Sequence, residues 1–79
     1  MAEDASESLD CIGLFCPVPV LQLREKMDEL PVGAVLEVFA DDPAAEEDFK
    51  RWAKRTGQEI VSFEKEGSKM RWLIKKASE

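Results

Sequence analysis

The sequence predicts a two-layer α/β sandwich in the order βαβαββ, with both helices on one face of a four-stranded mixed sheet. Three observations lead there. Two stretches carry apolar residues at helical spacing, each opened by a proline and closed by a proline or glycine. Four shorter stretches alternate in polarity or are rich in β-branched residues, as strands are. In a chain of 79 residues, two helices are too few to cover both faces of the sheet, so they share one.

Ser8-Leu9-Asp10-Cys11 alternates polar and apolar residues and suits a short first strand, with Gly13 in the turn behind it. Pro17 to Leu30 reads as a helix whose face is Val20, Leu23, Met27 and Leu30. Pro17 fits the first helical position, where its missing N–H loses nothing, and Pro31 stops the helix. Ala34 to Ala40 is the strongest strand in the chain. Asp42 as N-cap and Pro43 as first residue start a second helix, with Ala45, Phe49, Trp52 and Thr56 on its face and Gly57 ending it. Gln58 to Lys65 and Met70 to Lys75 form a closing hairpin around Glu66-Gly67-Ser68. The right-handed crossover rule makes the first two strands parallel. The whole chain, residues 1–79, reads as one domain with a frayed start over residues 1–6.

Composition narrows the function. The net charge is −6, which does not suit direct nucleic-acid binding, since affinity for phosphates draws on cationic side chains. Lys69, Arg71, Lys75 and Lys76 are read as solvated residues of the last strand. No stretch approaches the roughly 20 apolar residues of a membrane span. The acidic Met1-Ala2-Glu3-Asp4 start is unlike a secretory signal, and the cytoplasm is the expected location. There are two cysteines and no histidine. Acyl transfer through a Cys-His pair therefore lacks its base, and a structural zinc site lacks ligands. No cofactor or metal is expected. A core this thin leaves little room for an enclosed cofactor pocket.

The chemistry therefore rests on thiols. Cys16 opens the run Cys16-Pro17-Val18-Pro19 and is expected to cap the first helix. The positive end of the helix dipole and the N–H groups of Val18 and Val20 would then favour its thiolate, the nucleophilic form. Pro17 fixes the entry angle of the helix, and Pro17 and Pro19 together position the sulfur. Cysteine is a poor cap beside serine, threonine or aspartate, which points to reactivity. On this reading the Cys16 thiol lies below the ordinary thiol range. Cys11, at the end of the first strand, is read as a small core residue, with a role as second, resolving thiol as the alternative.

Leu9-Asp10-Cys11-Ile12-Gly13-Leu14-Phe15-Cys16-Pro17-Val18-Pro19 resembles the TusA (SirA-like) sulfur carriers, whose mark is a Gly-Leu-x-Cys-Pro-x-Pro run. The resemblance extends through Pro31-Val32-Gly33, Ala40-Asp41-Asp42-Pro43-Ala44-Ala45, Thr56-Gly57 and the final hairpin, over about residues 8 to 76. It implies a fold like the C-terminal domain of translation initiation factor three, with strand order 1-2-4-3 and strand 4 antiparallel. It also implies a function: sulfane sulfur is accepted as a persulfide on Cys16 and relayed. The implied donors are cysteine desulfurases or rhodanese-like proteins. The implied acceptors are DsrE-type or other sulfur-acceptor proteins, in tRNA thiolation or sulfur oxidation. Phe15 and Val18 stand where many members carry a basic and an acidic residue, so this motif is less polar than most. Two other functions fit the residues: a non-catalytic interaction or regulatory module, and a thiol-redox protein using Cys11 and Cys16.

Several further residues have structural readings. Asp41 and Asp42 are a helix cap and its neighbour rather than an acid/base pair. Phe49 and Trp52 belong to the core. Arg24 and Lys26 are solvated. On the sheet face away from the helices, Val35, Phe39 and Leu73 are expected to lie among charges, and the family resemblance implies that Val61 and Phe63 join them, an apolar patch that would suit a partner or self-association surface.

Overall fold

A computed structural model of the chain describes residue 5 and residues 7–78. The frayed start expected at residues 1–6 lies, Ala5 apart, outside the described residues. The elements are β1 (Glu7–Cys11), α1 (Val18–Asp28), β2 (Val35–Ala40), α2 (Pro43–Thr56), β3 (Glu59–Glu66) and β4 (Lys69–Lys75). The sheet order is β1-β2-β4-β3. β1 runs parallel to β2, while β2 with β4 and β4 with β3 are antiparallel. This is the expected mixed sheet, and both helices contribute to a single core on one of its faces.

Local sequence explains most of these elements. In β2, Leu36, Val38 and Ala40 are buried while Val35, Glu37 and Phe39 face the other way, the period of a strand. In α2, Ala45, Phe49, Trp52 and Ala53 are buried on one stripe. Asp42 is its N-cap and accepts from the N–H of Ala44 at 3.2 Å, Pro43 follows, and Gly57 closes it in the left-handed conformation at φ 79°. Phe49 reaches across the layers to Trp72 of β4, edge to face at 5.3 Å between ring centroids.

α1 departs from expectation. Its first helical residue is Val18, with Pro17 as an N-cap that makes no side-chain capping bond. The peptide bond between Cys16 and Pro17 is cis. Cys16 thus lies one residue outside the cap, and Pro19 rather than Pro17 occupies the first turn, fully buried. The helix stops at Asp28, and Glu29 and Leu30 donate to carbonyls three residues back, a tightened last turn.

The outer face of the sheet also differs. A bulge at Val61 shifts the register between Ile60 and Ser62. The extra residue turns Ser62 outward opposite Leu73 and Phe63 inward opposite Trp72, where the two rings lie 4.3 Å apart between centroids. Phe63 therefore belongs to the helix layer, with Lys50 of α2 above its ring. Leu73 is only 3% exposed. Val35, Phe39 and Val61 remain half-buried, a smaller patch than expected. Lys76 is buried rather than solvated: its Nζ donates to the Leu30 carbonyl at 2.6 Å, at the C-terminal end of α1, where a cation is favoured. Arg71 pairs with Glu37 at 2.6 Å and Glu64 at 3.4 Å across the sheet.

Candidate functional site

The parallel strands β1 and β2 end side by side, with Cys11 opposite Ala40. The two chain segments leaving them are the Cys16 loop and the start of α2. Carboxylates join them. Asp10 accepts from the N–H of Ile12 at 2.9 Å, bending the chain out of β1. Gly13 follows at φ 85°, a conformation that suits glycine. Its N–H donates to Asp41 Oδ1 at 3.0 Å. The N–H of Cys16 donates to Asp42 Oδ2 at 2.6 Å, while the other oxygen of Asp42 caps α2. The Asp41-Asp42 pair is thus structural, as the sequence suggested, and it also fixes the backbone of the Cys16 loop.

Cys16 is exposed, and its Sγ donates to Asp48 Oδ2 at 2.6 Å. Asp48 Oδ1 faces Arg51 Nη1 at 3.6 Å. The hydrogen bond to Asp48 stabilises the protonated thiol and raises its pKa. Partial desolvation and the charges of Asp48 and Asp42 push in the same direction. This reverses the expectation of a thiol lowered by the helix. The helix begins beyond Cys16, Pro17 brings no N–H, and the nearest charges are carboxylates delivered by α2. Asp48 escaped the sequence reading because it is 32 residues from Cys16. The available signal was its place beside the buried stripe of α2, between Ala45 and Trp52, near the capped end.

The motif and its neighbours in the chain also leave apolar side chains exposed. Phe15 is 73% exposed, and Ile12, Val18 and Leu21 also leave much of their surface in solvent. Cys11 is the opposite kind of thiol. It is fully buried in the core, and burial, aided by the charge of Asp10, raises its pKa. The two thiols are both free, one facing the core and one facing water. A cavity of about 470 Å³ opens near the end of β1 between Asp10, Ile12, Phe39, Met70 and Arg71, and Cys16 does not line it.

Comparison with known proteins fits this geometry. Residues 7–76 match the family model for sulfurtransferase TusA. A putative sulfur carrier protein of Archaeoglobus fulgidus is 49% identical over 70 residues, covering 87% of this chain and 91% of the relative. The sulfur carrier protein TusA of Allochromatium vinosum is 40% identical over 74 residues, covering 94% and 97%. The crystal structure of a SirA-like protein from Desulfitobacterium hafniense superimposes with a TM-score of 0.77 at 23% identity, covering 91% of this chain and 99% of that one, and shows the same fold. With the family model spanning nearly the whole chain, the protein belongs to the sulfurtransferase TusA family.

Proposed function

We propose that this protein is a sulfur carrier that accepts a sulfane sulfur as a persulfide on Cys16 and passes it to an acceptor protein. The observation that carries the reading is the contrast between the thiols: Cys16 is exposed on a loop pinned by Asp42, whereas Cys11 is sealed in the core. A protein donor can reach the first and not the second. Loading is a thiol exchange that conserves oxidation state. The Cys16 sulfur attacks the outer sulfur of a donor persulfide, the donor S–S bond breaks, and the proton lost by Cys16 is balanced by one gained by the donor thiol. Pro17 and Pro19 act by position, the first as the N-cap beside the cysteine and the second as a buried anchor in the first turn.

Relatives named as sulfur carriers support this role. Cysteine desulfurases or rhodanese-like proteins as donors, DsrE-type proteins as acceptors, and a cytoplasmic setting that keeps both thiols reduced complete the proposal. No helix among the described residues is long and apolar enough to cross a membrane. The redox alternative is weaker, because Cys11 is fully buried in the core while Cys16 faces water, and a buried thiol is a poor resolving nucleophile. The test is intact-mass analysis after incubation with a cysteine desulfurase and cysteine. A gain of one sulfur atom, reversed by reductant, is expected. No gain under conditions that load an established carrier would overturn the proposal.

A further inference from the structure

Nothing in the Cys-Pro-Val-Pro run points to Asp48, yet its carboxylate is the group that holds the reacting sulfur. One oxygen accepts the Sγ–H of Cys16 at 2.6 Å, and the other faces Arg51 at 3.6 Å. Arg51 is a loose companion: its side chain is two-thirds exposed, and it also approaches Glu47 at 3.9 Å. The charged groups that bear on the thiol are therefore Asp48 and Asp42 from the start of α2, with Arg51 behind Asp48 and Asp41 engaged with Gly13. Phe15 and Val18 bring no charge from the motif itself.

A thiol in this setting must give up its proton before the sulfur can attack. If water takes the proton, the new thiolate faces a carboxylate at hydrogen-bond distance. If a cation first reaches Asp48, the carboxylate is engaged elsewhere, the hydrogen bond is released, and the thiolate no longer meets an unshielded like charge. Attack then proceeds in the ordinary way. The sulfur lone pair forms the new S–S bond, the old S–S bond of the partner breaks, and the departing thiolate takes up a proton in place of the one lost by Cys16.

We propose that Asp48 sets which sulfur partners Cys16 accepts: it holds the resting thiol protonated and favours disulfides and persulfides that carry a cationic group beside their reacting sulfur. In a protein donor that group is a lysine or arginine side chain at the mouth of the site. The proposal rests on the carrier reading for its biological meaning, but its chemistry needs only a reactive Cys16.

The experiment measures exchange of Cys16 with three disulfides of similar size: cationic cystamine, neutral hydroxyethyl disulfide and anionic dithiodipropionate. Peptide mapping reports on Cys16 alone. Each rate is divided by that of the same reagent with urea-unfolded protein, which removes intrinsic reactivity. At low salt the folded wild type is expected to favour cystamine over dithiodipropionate by about tenfold, with the neutral reagent between. Asp48→Asn should reduce the preference to about twofold and move the alkylation of Cys16 by iodoacetamide to lower pH. Glu47→Gln, which removes an equal charge one residue away, should keep the wild-type preference. Asp48→Ser serves as the second variant if the asparagine form does not fold, and about 1 M salt should erase the preference in the wild type. A preference that persists in the folded Asp48 variants, or that Glu47→Gln removes equally, would overturn the proposal. Loading by a desulfurase is scored separately. Charge preference without loading supports the role of Asp48 while contradicting the carrier reading, and loading without charge preference overturns the role of Asp48 alone.

Discussion

The exposed Cys16 thiol, just ahead of α1, is held by Asp48 of α2. Because Asp48 and Asp42 raise its pKa, Cys16 binds its proton more tightly in the folded chain than in the unfolded one. Between the unfolded and folded values the folded state holds more protons, so stability falls as pH rises across that window. The contribution is fully present below the unfolded thiol value of about 8.5. Iodoacetamide should accordingly modify Cys16 with a midpoint at higher pH than it shows for the same cysteine in urea-unfolded chain. A folded midpoint at or below the unfolded one would contradict the geometry at Asp48. The sequence singled out Cys16 through the run Cys16-Pro17-Val18-Pro19 and the lack of histidine, and the structure places that thiol at the surface. Its electrostatics were not legible in the sequence. The sequence shows a helix start beside the cysteine, but only the packing of α2 against the Cys16 loop shows which charges arrive there.

Among the elements, the N-terminus of α2 has two duties. Asp42 caps it and also accepts from the N–H of Cys16. Asp42→Ala should cost about 1 kcal/mol for the cap and up to about 2 kcal/mol with the second bond lost, read as a lower urea midpoint. A stable variant that no longer accepts sulfur would show that its role is chemical rather than structural. At the other end of α2, Gly57 sits at φ 79° and a Cβ there would meet Ser78 Oγ at 3.1 Å. Gly57→Ala should therefore cost about 1–2 kcal/mol by the same measurement, and an unchanged midpoint would contradict it. α2 was legible because a cap, a proline, an apolar stripe and a glycine all agree. The bulge in β3 was not, because Val61-Ser62-Phe63 alternates as a regular strand would. The extra residue becomes visible only when the pairing with β4 brings Phe63 against Trp72.

At the scale of the whole molecule, two layers share one thin core. Trp72 lies at its centre, meeting Phe49 from α2 and Phe63 from β3. Trp72→Ala should cost about 3–5 kcal/mol, a large part of the roughly 5–15 kcal/mol that a small domain has in total. Thermal melting should show the loss, and a shift worth under about 1 kcal/mol would contradict this account of the core. The layer arrangement followed from the number of helices and the parallel pairing from the crossover rule. The placement of β4 between β2 and β3 came from the family resemblance, because the closing hairpin could have joined the sheet by either strand. The same topology sets β1 and β2 side by side, and this is what brings Cys16 to the carboxylates of α2.

The central claim is that Cys16 carries the sulfur, and the most direct measurement is peptide mapping by mass spectrometry after desulfurase treatment. Wild type, Cys16→Ser and Cys11→Ser are compared. The added sulfur is expected on Cys16 in the wild type, absent in Cys16→Ser, and nearly unchanged in Cys11→Ser apart from any loss that tracks stability. Sulfur found on Cys11, or loading that survives Cys16→Ser, would contradict the account.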